Sequence, residues 1–229
     1  MSRFKMEIDN GHIVLIPKEN GKRYIVDTGS LDSFSRVAET LTLDNEEKQL
    51  NSKPKMLQML QRINDNHLLA QEVDGLLGLD ILRGNVWEFD FASQSILVNE
   101  AAQPEYEESL PLSISPMTGL SFDLSVRERS CQGILDSGAF VSYASSSLVA
   151  DVAPCGEIDD YHPELGAIHT TLHLLAIRLG NREFNIKAGK MPQLLETMMS
   201  IAGIDCVLGI TMLGLKRCQL DLIQQRFCF

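Results

Sequence analysis

A short pattern occurs twice in this sequence, as Ile25-Val26-Asp27-Thr28-Gly29-Ser30 and as Ile134-Leu135-Asp136-Ser137-Gly138-Ala139. In both copies, two branched apolar residues lead into an aspartate, a hydroxyl residue and a glycine. Asp and Gly are common turn residues, so either tripeptide taken alone is a weak signal. Because the pattern recurs after an apolar segment in each half of the chain, it indicates an internal duplication.

The sequence around the two patterns repeats as well. An alternating segment, a polar turn and a short apolar segment precede each aspartate, at residues 12–26 and 121–135. Downstream, Leu76-Leu77-Gly78 recurs as Val207-Leu208-Gly209, and another aspartate follows each glycine by twelve residues. Alternating segments joined by polar turns are typical of β-hairpins. The sequence therefore predicts two similar, mostly β halves.

The two halves differ between the aspartate and the distal glycine. In the second half, residues 170–179 and 183–188 predict an additional hairpin around a Gly180-Asn181 turn. In the first half, residues 54–63 have helical apolar spacing, with Pro54 suited to the first turn. Shorter helices are predicted near residues 194–201, 80–82 and 211–213.

Residues 99–109 are acidic, contain Pro104 and show no apolar period, which is typical of a linker. We therefore expect an N-terminal domain at 1–98, an acidic linker at 99–109 and a C-terminal domain at 110–229.

Composition excludes several classes of function. The net charge of −11 argues against a nucleic-acid partner, because such binding depends largely on Lys and Arg. No segment approaches the 18 or so apolar residues that span a bilayer, so no membrane partner is expected. The apolar run at residues 13–16 is too short for a secretory leader, so we expect none. Because the first strand starts within about ten residues of Met1, we also expect no propeptide. Five cysteines without a C-x-x-C spacing fit reduced thiols, and a cytoplasmic location is predicted.

The two patterns resemble the active-site signatures of the clan AA aspartic peptidases, which include the retropepsins and the pepsins. The resemblance covers nearly the whole chain, in a single-chain, two-lobed form intermediate between retropepsins and pepsins. It implies two retropepsin-like β-barrel lobes related by pseudo-twofold symmetry, with the active site between them. It also implies an aspartic endopeptidase whose catalytic residues are Asp27 and Asp136.

Two carboxyl groups at one site have a specific chemistry. Ionised carboxylates about 3 Å apart would repel by roughly 5 kcal/mol at an effective dielectric constant near 20. The pair therefore holds one proton over a wide pH range, so one oxygen can accept a proton from water while the acid polarises the scissile carbonyl. The roles of acid and base belong to the pair, because the two titrations are coupled. This chemistry needs no cofactor, and we expect none.

The neighbours of the aspartates have roles of their own. Gly29 and Gly138 lack Cβ, which allows the backbone to approach a carboxylate or a substrate closely. The resemblance implies that the hydroxyls of Thr28 and Ser137 hydrogen-bond across the interface between the lobes.

The residue after each glycine differs between the halves. Ser30 could donate a hydrogen bond to Asp27, whereas Ala139 has no hydroxyl for Asp136. This difference predicts two unequal carboxyl groups.

The resemblance also implies a β-hairpin flap that closes over the substrate. The first half has no glycine and little length at residues 48–55, where a flap is expected. The second half has glycines and an aromatic residue at 155–166, so a single flap with Tyr161 and Gly166 is expected from that half.

Pairing between the chain ends is a further expectation from the resemblance. Residues 4–8, 96–98, 110–114 and 225–229 are β-prone, and we expect them to form a sheet between the lobes that satisfies their backbone groups. Because both lobes belong to one chain, a monomer should suffice for activity on an extended peptide or protein substrate.

Two alternatives remain open. The short first-half flap region is compatible with a protease-fold binding or regulatory module that lacks turnover. The second alternative is a metal-dependent hydrolase, because His162, His169, His173 and Cys155 are close in sequence. The residues around 168–171 predict a strand, on which histidines usually pack or meet solvent, so we expect no metal.

Overall fold

A computed structural model describes residues 2–37, 39–44, 46–99, 105–116, 118–162 and 165–229. Strands contain 50% of the described residues and helices 15%, in two large sheets and one small one. The predicted mostly β fold class is therefore confirmed.

The first half contains nine strands and two helices. They are β1 (Ser2–Asp9), β2 (His12–Ile16), β3 (Tyr24–Val26), β4 (Phe34–Ser35), β5 (Glu39–Leu43), β6 (Glu46–Leu50), α1 (Pro54–Asp65), β7 (Gly75–Leu77), α2 (Leu79–Leu82), β8 (Val86–Asp90) and β9 (Ser95–Val98).

The second half contains eleven strands, two α-helices and a short 3₁₀ helix. They are β10 (Ser109–Pro111), β11 (Ser113–Ser115), β12 (Gly119–Val126), β13 (Arg129–Asp136), β14 (Ser142–Ala144), α3 (Ser146–Val149), β15 (Pro154–His162), β16 (Gly166–Leu179), β17 (Arg182–Lys190), α4 (Gln193–Ile201), β18 (Cys206–Gly209), the 3₁₀ helix (Ile210–Leu213), β19 (Arg217–Asp221) and β20 (Arg226–Cys228).

The internal repeat appears as the same strand pairing in both halves. In the first half β3 runs parallel to β7, and β7 pairs antiparallel with β4. In the second half β13 runs parallel to β18, and β18 pairs antiparallel with β14. The registers also correspond, since Val26 faces Leu77 just as Leu135 faces Leu208. Each aspartate of the repeated pattern therefore stands at the end of a central strand.

A single sheet joins the two halves. Its ten strands lie in the order β10-β20-β19-β8-β9-β1-β2-β3-β7-β4. The expected strands at 4–8, 96–98 and 225–229 belong to it. The halves meet in this sheet at the antiparallel pair of β8 and β19, which the sequence did not place there. The expectation for 110–114 was only partly right, because residues 113–115 form β11 and pair with β12 in the other sheet.

The apolar core is continuous across both halves. Buried residues from β8, β19 and β20 join those of β1 and β12 in one cluster, with Trp87, Phe89 and Phe227 fully enclosed. Burial of side chains this large stabilises each one by about 2–3 kcal/mol. The interface between the halves is therefore part of the apolar core.

Between each aspartate and its distal glycine, the structure contains the elements that the sequence predicts. The first half contains one additional hairpin there. The predicted hairpin of residues 170–188 is confirmed as β16 and β17, and the predicted helices at 54–63 and 194–201 are confirmed as α1 and α4. The sequence did not predict the β5–β6 hairpin, whose turn at Asp44 has a φ of +51°.

The domain boundaries at 98 and 110 stay a prediction, and residues 100–104 of the expected linker lie outside the described residues. In the part of the chain that the structure describes, no helix is both long and apolar enough to cross a membrane.

Candidate active site

The two repeated aspartates come together between the halves. Asp27 follows β3 and Asp136 ends β13, and their carboxyl groups hydrogen-bond to each other. Both side chains keep part of their surface accessible to solvent. Residues that are 109 positions apart in the chain thus form one polar site.

Four crossed hydrogen bonds fix the loops that carry the aspartates. The Thr28 hydroxyl donates to the carbonyl oxygen of Leu135 at 2.7 Å, and the Ser137 hydroxyl donates to that of Val26 at 2.7 Å. Each hydroxyl oxygen also accepts a hydrogen bond from the backbone N–H of the other residue, at 3.0 and 2.9 Å. Thr28 and Ser137 are fully buried. The pattern is nearly symmetric, so the two loops hold each other in one relative position.

The glycines bring the backbone of each loop against the carboxyl group from the other half. A Cβ atom added to Gly29 would lie 2.6 Å from Oδ2 of Asp136, and one added to Gly138 would lie 2.5 Å from Cγ of Asp27. Real Cβ atoms essentially never approach other atoms this closely. Any other residue at either position would push the two aspartates apart.

Burial and proximity change the titration of the pair. Burial, followed by the neighbouring carboxyl of Asp136, raises the pKa of Asp27 well above its usual value. Burial also raises the pKa of Asp136, while the N–H of Gly138 acts in the opposite direction. The pair thus keeps a proton at pH values where an isolated aspartate is ionised.

The two carboxyl groups accept different numbers of hydrogen bonds, and backbone N–H groups, not a side-chain hydroxyl, cause this difference. Asp27 Oδ1 accepts N–H groups from Gly29 at 2.8 Å and Ser30 at 3.0 Å. Asp136 Oδ1 accepts the N–H of Gly138 at 2.8 Å. The expectation for the Ser30 hydroxyl was wrong, because this group donates to the carbonyl oxygen of Asp32. Ala139 stands at the corresponding position of the second loop.

Two serines that the sequence analysis did not single out support the loops. Ser33 and Ser142 each follow an aspartate by six residues, and both are fully buried. Their hydroxyl oxygens accept the backbone N–H of the distal glycines, Gly78 at 2.7 Å and Gly209 at 3.1 Å. The equal spacing from the aspartates was the signal that could have identified them.

A long hairpin of the second half carries the residues expected for the flap. Tyr161 faces Ala167 and His162 faces Gly166 near the tip of the β15–β16 hairpin. His162 lies close enough to Asp136 for its charge to lower the pKa of that aspartate. The Tyr143 hydroxyl donates to Asp160 at 2.5 Å and ties the tip to the body of the second half. The flap candidates Tyr161 and Gly166 thus lie near the tip of this hairpin, and their role as a flap stays a prediction.

The corresponding hairpin of the first half, β5–β6, packs against its own sheet. Asp44 in its turn accepts a hydrogen bond from Asn99 at 3.2 Å, and the Asp44 N–H donates to Ser2 Oγ at 2.7 Å. Leu41 and Leu43 are buried in the core. The first half therefore directs this hairpin toward the interlobe sheet.

The histidines considered as metal ligands have other partners. His169 Nδ1 lies 2.7 Å from Asp159, and the buried His173 places Nδ1 2.8 Å from the carbonyl oxygen of Val152. Within the described ranges, no group of three or more His, Cys, Asp or Glu residues is arranged to hold a metal ion.

No family model and no curated protein matches this chain. Among solved structures, the solution structure of the Simian foamy virus (mac) protease is similar over 41% of this chain and 91% of its own, with 12% identity and a TM-score of 0.32. A foamy viral protease-reverse transcriptase in complex with an RNA/DNA hybrid is similar over 41% of this chain and 11% of its own, with the same identity and TM-score. At these values neither likeness bears on activity.

Proposed function

We propose that this chain is an aspartic endopeptidase of the single-chain, two-lobed type, with Asp27 and Asp136 as its catalytic residues. One observation carries the proposal: two aspartates from equivalent positions of an internal repeat share a hydrogen bond, on loops locked together by Thr28 and Ser137. A structural role alone would not favour burying two acids side by side, because their repulsion costs free energy.

The proposed reaction uses the single proton of the pair. A water molecule between the carboxyl groups gives a proton to the charged carboxylate, and its oxygen forms a bond to the scissile carbonyl carbon. The protonated carboxyl donates its proton to the carbonyl oxygen, which yields a neutral gem-diol. In the second step the protonated carboxyl of the pair gives its proton to the amide nitrogen, the C–N bond breaks, and one diol hydroxyl loses a proton to the pair. The pair ends with one proton, as it began.

The proposed substrate is an extended peptide or protein segment that lies between the lobes at 1–98 and 110–229. The β15–β16 hairpin, with Tyr161 and Gly166 at its end, would cover the substrate from one side and exclude water. Since one chain supplies both aspartates, a monomer suffices in this proposal.

The test is cleavage of a diverse peptide library between pH 3 and 7. The wild type is compared with Asp27→Asn and Asp136→Asn, with and without a statine-type inhibitor. Asp151→Asn, an exposed aspartate in the same half as Asp136, is the matched control. We expect each active-site substitution to reduce cleavage at least about a thousandfold, as for residues that act as a unit. The control should cleave normally.

Robust cleavage by both Asp27→Asn and Asp136→Asn would overturn the mechanism. No cleavage by any variant, including the wild type, would favour a binding module that lacks turnover.

A further inference from the structure

His12 connects the first half to the active-site loop of the second half. It begins β2, immediately after the Asn10-Gly11 turn, and its side chain is 6% exposed. Its Nδ1 lies 2.7 Å from the carbonyl oxygen of Gly138. A carbonyl oxygen can only accept a hydrogen bond, so Nδ1 carries the hydrogen and donates it. This bond crosses between the halves at the loop that bears Asp136.

Gly138 is in contact with both aspartates. Its N–H donates to Asp136 Oδ1 at 2.8 Å, and its Cα faces the Asp27 carboxyl so closely that a Cβ atom would not fit. The hydrogen bond from His12 holds its carbonyl group, the remaining polar group of this residue. A displacement of Gly138 would therefore change the surroundings of both carboxyl groups together.

The backbone beside His12 is adapted to this contact. Gly11 has a φ of +83°, and a Cβ atom added to it would lie 2.3 Å from the Phe140 ring. The Gly11 carbonyl oxygen accepts a hydrogen bond from the Thr211 hydroxyl at 2.8 Å. The imidazole also packs beside the Phe140 ring, with 6.3 Å between centroids. Gly11 and His12 together contact the loop at Gly138 and Phe140 and the 3₁₀ helix at Thr211.

The other half of the repeat has no such side chain. In strand register His12 corresponds to Gly119, because Ile25 faces Val14 and Ile134 faces Ser121. The residue with the same sequence spacing, fifteen residues before its aspartate, is Ser121. Its hydroxyl donates to the carbonyl oxygen of Ser113, 3.5 Å away. The imidazole is thus a difference between the halves that acts on only one of the two loops.

Carboxylates face His12 from three strands: Asp9 on β1, Asp136 on β13 and Asp160 on β15. Burial nevertheless lowers the pKa of His12, so the ring is neutral near pH 7, in the form that donates from Nδ1. At acid pH a protonated ring would still donate to Gly138 and would also lower the pKa of Asp136. The hydrogen bond is therefore compatible with both protonation states.

We propose that His12 is a positioning residue, which fixes Gly138 and through it the geometry of the Asp27–Asp136 pair. This inference rests on the proposed peptidase function. It assigns the alignment of the second loop to a side chain from the first half, in addition to the symmetric Thr28 and Ser137 bonds.

The test compares His12→Leu, which removes the donor, with His12→Asn, whose side-chain N–H₂ stands at the position of Nδ1. We expect His12→Leu to lower kcat about tenfold or more, because misplacement of reacting groups by about 1 Å costs up to about a hundredfold. KM should stay nearly constant, since no substrate contact is lost. His12→Asn should restore kcat, and Ser121→Ala, at the same sequence spacing from Asp136, should leave it unchanged.

A second readout does not depend on turnover. The titration of Asp27 and Asp136, followed by NMR of ¹³C-labelled carboxyl groups, should shift further in His12→Leu than in His12→Asn. Unchanged kcat and unchanged titration in His12→Leu would overturn the inference, and so would equal impairment of the Leu and Asn variants. If the wild type cleaves no peptide, the proposed function fails, and the titration still decides whether His12 controls the pair.

Discussion

Glu88 and Gln219 face each other across the β8–β19 strand pair, and each follows its distal glycine by ten residues. They are therefore equivalent residues of the repeat, and the pseudo-twofold axis passes between them. Both are buried, at 3% exposure. Arg217 Nε lies 3.3 Å from Glu88, so the axis holds one carboxylate, one amide and a nearby cation. The two positions are therefore related by symmetry, but only one of them carries a charge.

Replacement of Gln219 by Glu should destabilise the fold in a pH-dependent way. Two buried carboxyl groups face to face raise the pKa of at least one of them above its unfolded value. Such a group lowers stability at neutral pH, and the loss is relieved as the pH falls through the raised pKa. We expect Gln219→Glu to lower the free energy of unfolding by about 3 kcal/mol at pH 7, and by less at pH 4.

Urea unfolding at the two pH values measures this effect, with the exposed Gln61→Glu on α1 as the control. An equal loss of unfolding free energy at both pH values would show that the shape of the new side chain, and not its charge, causes the destabilisation.

Asp90 should make the interlobe sheet sensitive to acid. Burial alone would raise its pKa, but hydrogen bonds from Arg217 at 2.7 Å and from the Ser93 N–H hold the pKa at about 2. Since the folded value is depressed, the stabilisation is complete above the unfolded value of 3.8 and is lost as the pH falls toward 2. We expect it to be about 1 kcal/mol, because the partly exposed Arg217 is screened by solvent.

The measurement is the difference in unfolding free energy between the wild type and Asp90→Asn at pH 6, 4 and 2.5. The difference should stay nearly constant between pH 6 and 4 and shrink between pH 4 and 2.5. Asp221→Asn is the matched control, because Asp221 occupies the equivalent position and faces Val86 where Asp90 faces Arg217. A constant difference for Asp90→Asn would contradict the assignment.

The aspartate loops could be predicted from sequence because their signals are local and occur twice. The pattern around Asp27 and Asp136 places each at a strand end, and equal spacing to Gly78 and Gly209 predicts the parallel partner strands. Ser33 and Ser142 carried the same kind of signal at equal distances from the aspartates. Repetition thus gave both the fold and most of the candidate site.

The other features of the fold and the site depend on contacts between distant residues, which produce no repeat or periodic pattern in the sequence. His12 meets a carbonyl group 126 residues away, and the residue with the same sequence spacing in the second half is a serine, so comparison of the halves does not identify it. The pairing of β8 with β19 depends on which apolar strands meet when the halves associate. The β5–β6 turn has no glycine, and Asp44 adopts the left-handed conformation itself. Asparagine and aspartate tolerate that conformation, but sequence alone does not require it.

Removal of the Thr28 hydroxyl should destabilise the protein more than loss of one ordinary hydrogen bond. Thr28→Val keeps the shape of the side chain but leaves the Leu135 carbonyl and the Ser137 N–H without this partner in a buried site. An unsatisfied buried group costs about 1–3 kcal/mol, so we expect a loss of about 3 kcal/mol. Thr28→Ser, which keeps the hydroxyl, should lose much less.

Chemical unfolding of both variants provides the measurement, with Thr42→Val on the exposed face of β5 as the control. In a double-mutant cycle, Thr28→Val and Ser137→Ala should be strongly non-additive, because they belong to one network. Additive losses would mean that the four bonds act independently.

Loss of the Tyr143 hydroxyl should release the tip of the β15–β16 hairpin. The hydroxyl donates to Asp160 at 2.5 Å, and Phe34 occupies the equivalent position in the first half, so the fold accepts a phenylalanine ring there. Tyr143→Phe should therefore leave global stability nearly unchanged. A hydrogen bond to a charged group contributes about 1.5–3 kcal/mol, which corresponds to roughly tenfold or greater local opening.

Hydrogen exchange measures this opening. The amides of residues 158–162 and 165–168 should exchange at least about tenfold faster in Tyr143→Phe, while those of the β12–β13 hairpin serve as the internal reference. If the hairpin covers the substrate, KM for a cleaved peptide should rise with little change in kcat, because the aspartate pair is not altered. Faster exchange without a change in KM would mean that the hairpin does not contribute to substrate binding. Unchanged exchange would mean that strand pairing alone holds the tip in place.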